Sequence, residues 1–241
     1  TRYNTFSYTS TASTQYAYVA DSTNGNVYQC SLNSDGSFNL CNITPESSMP
    51  AWQPLSLVFT TVNSTQYSYV SSANQGVYQC TLDAGAFNVC TLMLNDNVQA
   101  PSDVAFTIVG GIKYAYVVIN GHRTNHGITQ CSLNGDGTFN VCNKLVSSST
   151  TPNAISFATI NESQYAYISG GSAGVVYQCN LVESDGTFNG CNATMESPPA
   201  NWDPTDISFT KVGGIQYAYV ADNRIGDVYQ CTLTSDGLFD T

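Results

Sequence analysis

Charge is scarce in this chain. Asp, Glu, Lys and Arg make up 10% of its 241 residues, against the ~25% usual in a soluble domain. Basic residues are scarcer still: 6 Lys and Arg face 17 Asp and Glu, for a formal net charge of −11. That balance excludes the basic footprint that nucleic acid or an anionic membrane surface requires. Histidine occurs only twice. So few histidines leave little material for a Ser–His–acid set or a histidine-rich metal centre. No window keeps a helical period, and no apolar run is long enough to insert in a membrane as a helix. A secretory leader is also absent. The chain opens on strand-like sequence, as expected of a processed, mature product.

What is present is a repeat. The run QYAYVADSTNGNVYQCSLNSDGSFNLC, Gln15 to Cys41, returns from Gln66, Lys113, Gln164 and Gln216. The first cysteines of the copies, Cys30, Cys80, Cys131, Cys179 and Cys231, are spaced by 50, 51, 48 and 52 residues. At a constant offset before each copy stands an aromatic: Tyr8, Phe59, Phe106, Phe157 or Phe209. Further upstream, again at one offset, stands Pro54, Pro101, Pro152 or Pro204, with Tyr3 in the first copy. A period of this length marks a propeller or another array.

Each unit reads as four short strands with Gly, Asn, Asp and Ser between them. The second strand puts Tyr16 and Tyr18 on one face and Ala17 and Val19 on the other. Apolar side chains on both faces need cover from neighbouring units. The expectation is an all-β fold: a five-bladed β-propeller, four antiparallel strands per blade, in a single domain over 1–241. The blades fall at approximately 1–44, 45–94, 95–146, 147–195 and 196–241.

A two-residue, type I′ turn at Asp35–Gly36 would set Cys30 directly opposite Cys41, and Asp136–Gly137 would do the same for Cys131 and Cys142. Cys80/Cys90 has one residue fewer and Cys179/Cys191 one more, which predicts an altered turn or bulge with the bridge kept. The outer hairpins are thus expected to be stapled by Cys30–Cys41, Cys80–Cys90, Cys131–Cys142 and Cys179–Cys191. Such regular pairs point to an oxidising, extracellular compartment, and their spacing is wrong for zinc. Cys231 should face the position after Thr241. Either the chain continues to a cysteine there, or Cys231 is free or bonded to a second chain. Sequons at Asn42, Asn63, Asn161 and Asn192 would accept N-glycans in a competent host, although a chain rich in Asn, Ser and Thr makes sequons by chance.

Trp52 and Trp202 lie in twin loops leading into blades two and five; they either plug blade gaps or stack on sugar rings. The long loop of blade three holds both histidines, His122 and His126, flanking Arg123. It offers weak metal candidates or an anion site against the plainer reading of an exposed loop. Asn-Ser-Asp-Gly-Ser and Asn-Gly-Asp-Gly-Thr look faintly like calcium loops but stand where a hairpin must turn. Asp103 and Asp206 occupy equivalent places near the starts of first strands, with Ser56, Asn153 and Thr5 assigned to the same place elsewhere. They form either a carboxylate pair for glycoside hydrolysis or turn caps. Asp21 and Asp222 are expected to bind loop backbone.

Through YAYVAD…G.VYQC…DG.F, all five units resemble the YVTN-type repeats of bacterial and archaeal surface propellers, near the NHL and lactonase-like propellers. The resemblance implies a secreted or cell-surface propeller. The chain departs from that pattern after Tyr-Val/Ile and in its cysteine staple. The Glu, Asn and Asp channel cluster of the metal-dependent lactonases does not map here.

These readings converge on a non-enzymatic extracellular building block of a matrix, surface layer or fibre, without cofactor, partnered by itself or by glycans. The alternatives are a lectin-like propeller with a sugar site per blade gap, and a hydrolase using Asp103 and Asp206.

Overall fold

Alternating, β-branched and aromatic strand sequences separated by Gly-containing turns give twenty strands among the described residues, four to a repeat. The computed structural model describes residues 3–11, 14–44, 52–95, 100–121, 126–146, 151–170, 174–195 and 198–240. The first blade holds β1 (Tyr3–Thr11), β2 (Thr14–Asp21), β3 (Asn26–Leu32) and β4 (Phe38–Ile43). The second holds β5 (Pro54–Val62), β6 (Thr65–Ser72), β7 (Gly76–Asp83) and β8 (Ala86–Asn95). The third holds β9 (Pro101–Val109), β10 (Ile112–Ile119), β11 (Gly127–Leu133) and β12 (Phe139–Val146). The fourth holds β13 (Pro152–Ile160), β14 (Ser163–Gly170), β15 (Val175–Leu181) and β16 (Phe188–Ala193). The fifth holds β17 (Pro204–Val212), β18 (Ile215–Asp222), β19 (Val228–Leu233) and β20 (Phe239–Asp240). Every sheet runs in sequence order, so the chain is a five-bladed β-propeller of antiparallel meanders, with no helix among the described residues.

The contacts divide the chain into two compact units, 1–104 with 133–141 and 105–132 with 142–241. In the first unit, Tyr18, Val27, Trp52, Leu57, Val70, Tyr78 and Phe87 form one core. In the second, one core gathers Tyr116, Val118, Ile128, Ile155 and Ile168, and another gathers Tyr167, Val176, Trp202, Ile207, Val220 and Phe239. The second strands are buried on both faces, as Ala17 and Tyr18 illustrate. That is the pattern of a sheet covered on either side.

All four bridges form as the spacing predicts. Cys30 faces Cys41, Cys80 faces Cys90 and Cys179 faces Cys191. The turns that close them differ from expectation. In the first blade the loop is closed by Asn33 N–H to Ser37 O and Gly36 N–H to Asn33 O, and only Gly36 has a left-handed φ, +82°. Asp35 Oδ1 accepts from the Ser37 amide at 2.9 Å, so its side chain completes the turn and the residue stays right-handed. The ladder absorbs the longer loop with a register shift between Cys30 and Leu32. The true two-residue turn is in the second blade, one residue shorter, where Ala84 and Gly85 are both left-handed at φ 49° and 87°.

Candidate functional site

A bulge sits near the start of the first strand in the ladders β1–β2, β5–β6, β13–β14 and β17–β18. It re-aims the side chains that follow. In the fifth blade Pro204 faces Asp222 while Asp206 faces Ala221, which leaves Thr205 as the extra residue. The same register puts Ser56 opposite Ser71 and Ala154 opposite Ser169. This corrects one sequence assignment: Asn153 is the bulged residue, and Ala154 holds the place equivalent to Asp206 and Ser56.

In the first unit the half-buried Asp103 accepts from Ser56 Oγ at 2.6 Å and from the Val104 amide at 2.8 Å. In the second, the exposed Asp206 accepts from the Ile207 amide at 2.8 Å. Each carboxylate is therefore oriented by the amide that follows it. Asn153 lies in a separate polar group of the second unit, accepting from Asn120 Nδ2 at 2.7 Å and donating to Pro204 O at 3.3 Å. Asp21 and Asp222 hold loop backbone as expected. Asp21 Oδ1 takes the Thr23 and Asn24 amides, and Asp222 Oδ1 takes those of Arg224 and Ile225.

The second unit also carries a cleft of about 520 Å³ beside the β9 and β14–β15 ends, lined among others by Glu162, Gln164, Tyr165, Asn180 and Glu183. Its amides, carboxylates and one aromatic ring are the groups that bind hydroxyl-rich ligands.

The tryptophans do not offer sugar platforms. Trp52 and Trp202 are 4% and 5% exposed and pack into the blade cores, Trp52 against Tyr78 and Trp202 against Tyr229. Their large apolar area outweighs leaving each indole N–H buried without a hydrogen bond. His122 and Arg123 lie outside the described residues. His126 is half-buried, its Nδ1 without a partner, and among the described residues no three His, Cys, Asp or Glu side chains gather as a metal set. The Asp136 and Asp185 turns hold Thr138 and Thr187, the same use as Asp35, so these aspartates serve the hairpin. The carboxyls of Asp35, Asp136 and Asp185 are held below the usual aspartate value by those hydrogen bonds.

Cys231 is a free, buried thiol whose pKa is pushed up by burial. Of the sequon asparagines, Asn42 and Asn192 lie exposed on β4 and β16. Asn63 and Asn161 sit exposed in left-handed turns and donate to Gly135 O and Ser235 O.

No family model and no curated protein matches the sequence. Solved structures do match. The chain is similar to an exo-β-1,3-galactanase from Phanerochaete chrysosporium solved with galactose, with TM-score 0.64 and 10% identity over 98% of this chain and 61% of that one. It thus spans about three fifths of that enzyme's length. It is also similar to an α-L-arabinanase from Cellvibrio cellulosa complexed with arabinohexaose, with TM-score 0.62 and 10% identity over 98% and 93% of the two chains. BBS1N, solved in complex with ARL6DN, matches at TM-score 0.55 and 9% identity over 93% and 63%. At such identities the likeness shows the fold. It nevertheless corrects the expectation of a non-enzymatic building block. That expectation rested on uniform blades and the want of a catalytic set, and the galactanase and the arabinanase are built on this same fold.

Proposed function

We propose that this chain is an extracellular glycoside hydrolase of the propeller type, with Asp103 in the first unit and Asp206 in the second as candidate carboxylates, each taken by itself. The observation that carries the reading is their like placement two residues after the proline that opens a first strand, each fixed by its own backbone amide. Hydrolysis of a glycosidic bond runs through two carboxyl groups, one giving the leaving oxygen its proton and the other acting as nucleophile or activating water. Asp103 is half-buried beside Ser56, and Asp206 is exposed. The galactanase and arabinanase neighbours support a glycan substrate, the disulfides support an oxidising compartment, and the YVTN-type repeat likeness supports a secreted or surface setting.

The test is release of reducing sugar from β-1,3-galactan and arabinan. Asp103→Asn and Asp206→Asn each keep an oxygen acceptor for the following amide, so folding should survive. Each should lower turnover by about a hundredfold or more, the usual loss with a general acid or base. Undiminished hydrolysis by both variants would sink the assignment. The polar cleft at Tyr165 favours a second reading, glycan binding without hydrolysis. For that reading, retention on immobilised galactan that is lost in Tyr165→Ala is the decisive result.

A further inference from the structure

The turn between the first and second strands carries two left-handed residues in the second, third and fourth repeats. They are Asn63 and Ser64 at φ 47° and 67°, Gly110 and Gly111 at 57° and 80°, and Asn161 and Glu162 at 46° and 68°. Where the leading residue is asparagine, its side chain clasps the outer hairpin of the next repeat. Asn63 Nδ2 donates to Gly135 O at 2.9 Å, and Asn161 Nδ2 donates to Ser235 O at 2.7 Å. Each of these pairs lies within one unit. Each accepting carbonyl stands two residues before a turn glycine, Gly137 or Gly237. A carboxamide therefore fills the space between turn and hairpin in both places.

The third repeat has glycine at that position, and the fourth repeat's hairpin lies beside it in the same unit. A Cβ added at Gly110 would meet Glu183 O at 3.0 Å. The hairpin of the fourth repeat is one residue longer, its cysteines 12 apart against 11 in the third, so the carbonyl brought to the turn is three residues before Gly186. Glycine has no side chain to offer that carbonyl, and among the described residues no hydrogen bond is made to Glu183 O. The cleft at Tyr165 opens at this spot, with Gly110 and Glu183 in its wall. The rest of the wall suits a sugar that brings the missing group. Leu181 and the 56% exposed Ile108 are aliphatic, Tyr165 offers a half-buried ring, and Glu162 and Asn180 are exposed polar groups.

We infer that this cleft binds a 2-acetamido sugar, whose acetamido group takes the place that the asparagine carboxamide takes in the second and fourth repeats. The inference rests on the second reading above, glycan binding at Tyr165, and names the sugar class. The ligand's amide N–H donates to Glu183 O, as Asn63 Nδ2 and Asn161 Nδ2 donate to their carbonyls. Its acetyl methyl lies on Ile108 and Leu181, an apolar contact that a hydroxyl or an ammonium in its place does not make. The pyranose ring covers Tyr165, and its hydroxyls meet Glu162 and Asn180.

Calorimetric titration of the full chain with β-1,4-linked trimers of N-acetylglucosamine, glucosamine and glucose tests this, because the three differ only in the group on C2. The acetylated trimer should bind about tenfold or more tightly than the glucose trimer, the gain expected of a fitted neutral hydrogen bond and one buried methyl. Equal binding of the two overturns the inference. So does tighter binding of the glucosamine trimer, which would mean that the Glu162 and Glu183 carboxylates select an ammonium. Gly110→Asn restores the carboxamide at a φ that Asn63 and Asn161 already adopt. With circular dichroism verifying its fold, it should bind the acetylated trimer about tenfold or more weakly. Should the asparagine unsettle its turn, Ile108→Ser at an exposed position is the second variant. It should narrow the preference for the acetylated trimer about threefold or more. Undiminished binding by a folded Gly110→Asn, or an undiminished preference in Ile108→Ser, overturns the inference. Retention on immobilised galactan through Tyr165 with no preference for the acetylated trimer would sink the acetamido assignment alone. With neither retention nor trimer binding, the glycan reading of the cleft and this inference fall together.

Discussion

The hydroxyls of Tyr18, Tyr69, Tyr116 and Tyr167 are shut away from water, and burial is the main reason their pKa values are pushed up to about 12. The hydrogen bond from the neighbouring glutamine pulls the other way and is the smaller effect. An unfolded tyrosine ionises near pH ~10, so below that value both states hold the proton and the buried hydroxyls contribute fully. Above it the unfolded chain gives up protons that the folded chain keeps. Each tyrosine then removes about 1.4 kcal/mol of stability per pH unit until its folded value is passed. The expected outcome is cooperative alkaline unfolding between pH ~10 and ~12, with tyrosinate absorbance and loss of circular dichroism rising together. If all 16 tyrosines ionised near the free value while the sheet signal held, the four buried hydroxyls would not have the role given them here.

The outer hairpin was the most legible element in the sequence, because a disulfide needs its cysteines opposed and the spacing of the repeat opposes them. The turn itself was misread for a local reason. Asp-Gly suits two left-handed residues, but an aspartate followed two residues on by Ser37, Thr138 or Thr187 satisfies its carboxylate on that residue's amide and takes the longer loop. What an isolated repeat could not reveal is which glycines are pressed by a neighbour. Gly137 and Gly111 both turn at φ +80°, so alanine at either meets the same left-handed strain of about 1–2 kcal/mol. Only at Gly137 would the new methyl strike Tyr69 Oη and Gln79 Nε2 and break their bonds to the turn. Gly137→Ala should therefore cost at least about 1 kcal/mol more than Gly111→Ala in denaturant unfolding. Equal losses would mean that the tyrosine–glutamine pair contributes nothing to blade packing.

At the scale of the whole molecule, repetition and scarce charge made the propeller readable, while the candidate site was only half visible. Asp103 and Asp206 could be picked out by offset from a proline. The same two-residue offset from Pro152 reaches Ala154 and not Asn153, so that misassignment was one of counting; what the chain does not spell out is the bulge itself, which depends on ladder register. The tryptophans were ambiguous because burial depends on what the neighbouring blade supplies. Net charge makes a further prediction. The chain carries −11, and like charges repel most when the chain is compact, so the repulsion weakens the fold at low ionic strength. Raising salt from about 0.01 M to about 0.15 M shortens the screening length from ~30 Å to ~8 Å and removes most of that repulsion. The midpoint of urea unfolding should therefore rise with salt. A midpoint that fell over the same range would mean that ion pairs on the few basic side chains outweigh the repulsion among the carboxylates.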